Sequence, residues 1–277
     1  MHQGDRLLAA METAARAAGD LQTAEFRRRT PGWGNAKAAR DFVSFVDVES
    51  ERVIRRILDE ALPEASFYGE ETEQNLGTGP CWVVDPLDGT TNYLSGYDHW
   101  AVSIALWENG GPSLGLVFKP TTGELFTAVR GGGAARNGEP LPQAAALKPA
   151  DALIATGSPY RSPDTMDAFF EAVRRVMACC RDIRRCGSAA LDLCYLGAGY
   201  FQGFWEVDLK PYDVAAGLLV LSETGNRFGT FSGGTYDPFQ HRTLVAAPPG
   251  VYDTLKELVA AAYGKAAPGA AFAGAMD

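Results

Sequence analysis

Apolar residues recur at helical spacing near the start of the chain. Leu7, Leu8, Met11, Ala14, Ala15, Ala18 and Leu21 fall three and four apart, which predicts an amphipathic helix over 5–26 with Asp5 placed to cap its start. Val53, Ile54, Ile57, Leu58 and Ala61 share one face of a second helix, over about 49–62, and Pro63 closes it. The period then changes. Cys81-Trp82-Val83-Val84 is a continuous apolar run of the kind a buried strand shows, and it ends at Asp85. Runs at 101–107, 114–118 and 124–129 predict further strands. Asn109-Gly110-Gly111 and Thr122-Gly123 read as tight turns between them, and Asn137-Gly138 as another. The first half therefore reads as helices plus an antiparallel meander.

A Gly-, Ala- and Pro-rich stretch at 131–150 reads as loop and as the boundary between a first domain over 1–145 and a second over 146–264. Beyond it the pattern alternates. A strand is expected at 152–156, helices at 163–178 and 188–196, a strand at 203–207, and a helix at 211–223 closed by Gly225. Two short strands and a helix at 251–262 follow, which makes the second domain α/β. The Ala/Gly-rich stretch 265–277 is expected to be a flexible tail. No internal repeat is visible.

Composition narrows the function. A chain of 277 residues suits about two domains, and 46% hydrophobic with 21% charged residues excludes wholesale disorder. The net charge is −9 with no Lys/Arg-rich block, which disfavours nucleic acid and anionic membranes as partners and favours cations. No apolar run approaches the roughly 18–20 residues that span a bilayer. Asp5, Arg6, Glu12 and Arg16 interrupt what would be the apolar segment of a signal peptide, so a cytoplasmic protein is expected. Cys81, Cys179, Cys180, Cys186 and Cys194 are odd in number and form no C-x-x-C pair, which fits reduced thiols. Three histidines are too few for a histidine-rich zinc site.

Candidate chemistry concentrates in Trp82-Val83-Val84-Asp85-Pro86-Leu87-Asp88-Gly89-Thr90-Thr91-Asn92. A buried strand ends in a carboxylate, Pro86 turns the chain, and a second carboxylate follows three residues on. Two acids so placed can share a hard cation. The Gly-Thr-Thr amides behind them, at a helix start, can take a phosphate. Two further acidic elements are Gly69-Glu70-Glu71-Thr72 and Lys210-Pro211-Tyr212-Asp213-Val214-Ala215-Ala216-Gly217, where Asp213 lies in the first turn of an apolar helix. By themselves they suit a solvated loop and a complemented helix dipole.

Together the three elements resemble the inositol monophosphatase family of lithium-sensitive, magnesium-dependent phosphatases. The resemblance covers about 5–262, and Arg185-Cys186-Gly187-Ser188-Ala189-Ala190-Leu191-Asp192-Leu193 is similar to the bacterial branch. It implies a layered α/β/α/β/α sandwich of the inositol monophosphatase and fructose-1,6-bisphosphatase type, with an α+β first domain and an α/β second. It implies two or three Mg²⁺ ions, replaceable by Mn²⁺ and inhibited by Li⁺. Glu70, Asp85 and the Leu87 carbonyl would hold the first ion. Asp85, Asp88 and Asp213 would hold the second, and Glu70 with waters a third. The amides of Gly89 and Thr90 would bind phosphate. Thr90, hydrogen-bonded to Asp47, would assist Glu70 in deprotonating the attacking water. Asp47 is placed by Asp41-Phe42-Val43-Ser44-Phe45-Val46-Asp47, similar to the family's D-L-V-T-x-x-D. Gly187, Ser188, Ala189, Glu206 and Asp213 would face the substrate. A homodimer is also implied.

Three positions depart from the family pattern. Tyr212 stands for the usual Trp, Ser44 for Thr, and Thr224-Gly225-Asn226 for an A-G-G turn. None removes an expected ligand. The expected reaction is hydrolysis of a small phosphate monoester, inositol 1-phosphate first, by direct attack of an activated water with no covalent intermediate. The alternatives are fructose 1,6-bisphosphate or another sugar or nucleotide phosphate, and a regulatory binding role without catalysis.

Overall fold

The computed structural model describes residues 3–27, 35–38, 41–43 and 45–264. The expected tail at 265–277 and Ser44 lie outside the described residues. The chain forms two units. The first runs to Leu141 and takes in Gly187–Leu191 and Tyr212–Glu223; the second comprises Pro142–Cys186, Asp192–Pro211 and the chain from Thr224 on.

In chain order the first unit opens with helix α1 (Gln3–Phe26), a short antiparallel ribbon of β1 (Asn35–Ala38) and β2 (Asp41–Val43), and helix α2 (Phe45–Ala61). Then come β3 (Ser66–Gly69), β4 (Cys81–Asp88), the short helix α3 (Thr90–Ser95), β5 (Ala101–Glu108), β6 (Gly111–Lys119), β7 (Glu124–Val129), β8 (Gly133–Arg136) and β9 (Glu139–Pro140). Strands β3 to β9 form one sheet in sequence order; β3 runs parallel to β4, and every later pair is antiparallel. The meander forms because its turns carry the right residues. Asn109 (φ 53°) with Gly110 (φ 76°), and Asn137 (φ 51°) with Gly138 (φ 83°), hold the two positive φ angles that a tight hairpin requires.

Alternation along the strands fixes which side each residue faces. Trp82 and Val84, Val102, Ile104 and Leu106, and Leu114, Leu116 and Phe118 pack against Leu7, Met11, Ala14, Ala15 and Ala18 of α1 and Ile54 and Leu58 of α2. The intervening residues turn to the other face, where helix α6 (Pro211–Glu223) lies. A Cβ at Gly115 would come within 3.0 Å of the Ala216 carbonyl, so glycine lets helix and sheet approach there.

The second unit has β10 (Leu153–Thr156), α4 (Met166–Met177), β11 (Asp182–Arg184), β12 (Gly203–Val207), β13 (Arg227–Gly229), β14 (Thr243–Ala247) and α7 (Pro249–Tyr263). Helix α5 (Ala189–Gly197) begins in the first unit and ends in the second. The sheet order is β11-β10-β12-β14-β13. Helices α4 and α7 cover Ile154, Trp205, Val207, Val245 and Ala247 with Phe169, Ala172, Val176, Val251, Leu255 and Val259. No helix among the described residues is long and apolar enough to cross a membrane.

Several boundaries differ from the sequence reading. Helix α2 begins at Phe45, not 49, because its first turn buries Val46 with the polar Asp47, which apolar periodicity alone does not count. Strand β4 does not stop at Asp85. Pairing with β5 resumes at Asp88↔Ala101 after a break in register, because Pro86 has no N–H to donate and the chain bulges around it. The stretch read as loop at 131–150 contains β8 and β9. Strands β3 and β11 were not expected; they are four and three residues long, too short for a period to show.

Candidate active site

All eight residues of β4 are buried. Since Trp82 and Val84 enter the core under α1 and α2, Asp85 faces the side on which α6 lies. Directly across from Asp85 on β5 is Ser103, whose Oγ donates to the Tyr212 carbonyl at 3.2 Å. This pins the first turn of α6 over the end of β4 and delivers Asp213, from the far end of the sequence, to Asp85. Pro211 at the head of that helix and the apolar Val214, Ala215 and Ala216 behind it keep the turn buried.

Three carboxylates converge. Asp85, Asp88 and Asp213 are all buried, and each offers an oxygen within 4.8 Å of those of the other two. The turn between the first two is fixed by its own hydrogen bonds. Leu87 N donates to Asp85 Oδ1 at 2.9 Å, and Thr90 Oγ1 donates to the Leu87 carbonyl at 3.0 Å. Gly89 follows with φ 98° and ψ 31°. A Cβ there would meet the carbonyls of His99 at 3.0 Å and Gly187 at 3.2 Å, so both backbone conformation and space demand glycine. Asp88 Oδ2 accepts Ser188 Oγ at 2.5 Å and Ala190 N at 2.8 Å, so it closes the start of α5.

The electrostatics follow from burial. Loss of water raises the Asp85 carboxyl well above its ordinary value, and the charges of Glu70, Asp88 and Asp213 raise it further. Asp88 is pushed up to about 7, by burial first and by Asp213 second, against the pull of the Ser188, Ala190 and Ala189 hydrogen bonds. Two carboxylates about 4 Å apart repel by roughly 4 kcal/mol at an effective dielectric near 20. Buried acids at this spacing are stable together only with protons or a cation between them. The donor set is all oxygen, with neither His nor Cys among the three, and suits Mg²⁺ or Mn²⁺ rather than zinc.

The other expected residues are placed as follows. Glu70 is half-buried just after β3, and its N–H donates to the Val84 carbonyl at 3.2 Å, one residue before Asp85. Asp47 is buried in the first turn of α2. The Thr90 hydroxyl, expected on Asp47, gives its proton to Leu87 instead. Ser188 and Ala189, expected to face substrate, lie on Asp88 through the Ser188 hydroxyl and the Ala189 amide. Gly187 (φ 88°) leads into that turn. Glu206 is half-buried on β12 in the second unit, against Gly157, where a side chain would collide with its carboxylate. Tyr212, the departure from the family pattern, is buried with its ring centroid 6.4 Å from that of Tyr68.

Two residues bearing on the site were missed in the sequence. Glu51, almost fully buried on α2, accepts the Glu71 N–H at 2.8 Å and the Thr72 hydroxyl, and so grips the loop that carries Glu70. Its signal was legible: Asp47, Glu51, Ile54 and Leu58 follow helical spacing, which puts an acid on the buried stripe. The second is Gln22, buried on α1 and bonded to the Pro86 carbonyl at 2.7 Å. No motif marks it.

Known proteins identify the family. A model of the inositol monophosphatase family matches residues 4–266. The inositol-1-monophosphatase of Rhizobium meliloti is 42% identical over 225 residues, covering 80% of this chain and 84% of that protein. The Nus factor SuhB of Escherichia coli K12 is 39% identical over 223 residues, with the same two coverages of 80% and 84%. The crystal structure of extragenic suppressor protein suhB from Bartonella henselae superposes with a TM-score of 0.86 at 36% identity, over 91% of this chain and 97% of that one. With the family model spanning nearly its whole length, this chain belongs to the inositol monophosphatase family.

Proposed function

We propose that the chain is a magnesium-dependent phosphatase of small phosphate monoesters, with inositol 1-phosphate as its first substrate. The observation that carries this reading is the buried convergence of Asp85, Asp88 and Asp213, three acids that repel one another when ionised unless a cation joins them. The name of the Rhizobium meliloti relative supports the choice of substrate.

Asp85, Asp88 and Asp213, with Glu70 and the Leu87 carbonyl, would hold two Mg²⁺ ions. When bound, the ions supply a lowered pKa for water and positive charge for the phosphate and the departing oxygen. The chain's own groups do the rest. The Gly89 and Thr90 amides, at the start of α3, orient the phosphate oxygens. Glu70, half-buried and tied to the end of β4 by its own N–H, accepts the proton of the attacking water. The Thr90 hydroxyl is occupied by the Leu87 carbonyl, so it braces the turn while Glu70 acts as base. No side chain becomes esterified. Inhibition by Li⁺ belongs to the same reading.

A second reading is favoured by the relatives named Nus factor SuhB: a binding role in gene expression that needs no turnover. One experiment separates them. Phosphate release is measured on inositol 1-phosphate, fructose 1,6-bisphosphate, histidinol phosphate and 3′-phosphoadenosine 5′-phosphate, with Mg²⁺ and with EDTA. Release only with Mg²⁺, greatest from inositol 1-phosphate, is expected. A different ranking reassigns the substrate, and no release from any of the four favours the binding role.

A further inference from the structure

The buried face of α1 is apolar at Leu7, Met11, Ala14, Ala15 and Ala18, and its next position is Gln22, with no exposure to solvent. A buried primary amide is costly unless it is satisfied, and this one is. Its Nε2 donates to the Pro86 carbonyl at 2.7 Å and to Ser50 Oγ at 3.1 Å. Its Oε1 accepts the Trp100 indole N–H at 3.2 Å. The Gln22 carbonyl accepts the Tyr93 hydroxyl at 2.9 Å.

The partner that matters is Pro86. It lies where β4 loses register with β5, between the two acids of the candidate metal site. The Pro86 carbonyl and the Leu87 N–H belong to one planar peptide unit. Gln22 holds the oxygen of that plane, and the Leu87 N–H of the same plane donates to Asp85 Oδ1 at 2.9 Å. The tilt of a single peptide, gripped from α1, therefore sets the direction of the Asp85 carboxylate. A neutral amide does this without adding a charge beside the acids.

We propose that Gln22 is a positioning residue for the metal site, orienting the Asp85 carboxylate through the Pro86–Leu87 peptide. The inference rests on the reading of Asp85, Asp88 and Asp213 as a divalent-cation site.

The test uses Mn²⁺ as the probe, with binding to the full chain followed by electron paramagnetic resonance in the absence of substrate. Gln22→Met keeps the volume and removes every side-chain hydrogen bond. Ser50→Ala removes one partner of the amide and leaves the Pro86 contact in place. Gln22→Met is expected to weaken Mn²⁺ binding about tenfold, the lower range for loss of a group that orients a metal ligand. The Mg²⁺ concentration for half-maximal activity should rise in step, with kcat at saturating metal within about twofold. Ser50→Ala should bind Mn²⁺ as wild type does. If Gln22→Met does not fold, Gln22→Asn, whose amide is one methylene too short, should show the same loss. The proposal is overturned if the Gln22 variant that folds melts at a lower temperature yet binds Mn²⁺ like wild type. Failure of wild type itself to bind Mn²⁺ would instead overturn the metal reading and this inference with it.

Discussion

Asp88 answers two demands with one carboxylate. Its Oδ2 is committed to Ser188 and to the Ala190 amide, and the carboxylate also offers an oxygen to the acids of the cluster. Its pKa is about 7 in the folded protein, against an ordinary 3.8, with burial the larger cause and Asp213 the second. A folded pKa above the unfolded one means the folded state holds the proton more tightly. The stabilisation is fully present below about pH 4 and is lost as pH rises through about 7. Asp88→Asn resembles the protonated form and keeps an acceptor for Ser188 and Ala190. In EDTA, the variant's melting temperature is therefore expected to gain on wild type between pH 5 and pH 8. A difference that stays constant over that range would show that Asp88 ionises freely. With Mg²⁺, turnover should fall at least about a hundredfold, the upper range for loss of metal-site support.

At the scale of elements, α2 is a brace as much as a wall of the core. Ile54 and Leu58 pack under the sheet, while Ser50 accepts the Gln22 amide of α1 and Glu51 grips the loop that carries Glu70. Glu51→Ala would leave the Glu71 N–H and the Thr72 hydroxyl without their acceptor. The expected cost is about 1–3 kcal/mol, and it should be local. Hydrogen exchange at residues 70–72 should accelerate while β5 and β6 stay protected, and kcat should fall through misplacement of Glu70. Equal acceleration throughout the sheet would make Glu51 a general core residue. The brace also shows what the sequence made legible. Apolar periodicity found α1, α2 and the strands from β4 to β7, because burial there is carried by Leu, Ile, Val and Trp. It missed the early start of α2 and the short strands β3 and β11. In those places position is set by polar contacts, or by a neighbour that pairs with only three or four residues. The motif acids were legible as residues. That Thr90 and Ser188 serve the turn and Asp88 was not, since a hydroxyl's partner depends on packing that no local pattern encodes.

For the molecule as a whole, the decisive feature is how far apart in sequence the converging acids lie. Asp85 and Asp88 close the fourth strand, and Asp213 comes from a helix of the stretch Tyr212–Glu223, which returns to the first unit late in the chain. An unfolded chain cannot present them together, so a divalent cation binds the folded state and stabilises it by mass action. At a hundred times its dissociation constant, Mg²⁺ should contribute about 2.7 kcal/mol, a rise in melting temperature of about 5–10 °C for a domain of this size. General screening would also stabilise a chain of net charge −9, so NaCl at matched ionic strength is the control. Protons add a second signature. Near pH 6.5 Asp88 still holds its proton in part, and Asp85 is raised as well, so a cation must displace protons to enter. Calorimetry in two buffers of different ionisation enthalpy should show proton release on Mg²⁺ binding at pH 6.5, and less at pH 8.5. A shift that NaCl reproduces, with no proton release at either pH, would mean that the ions screen the surface and that the three acids are not a metal site.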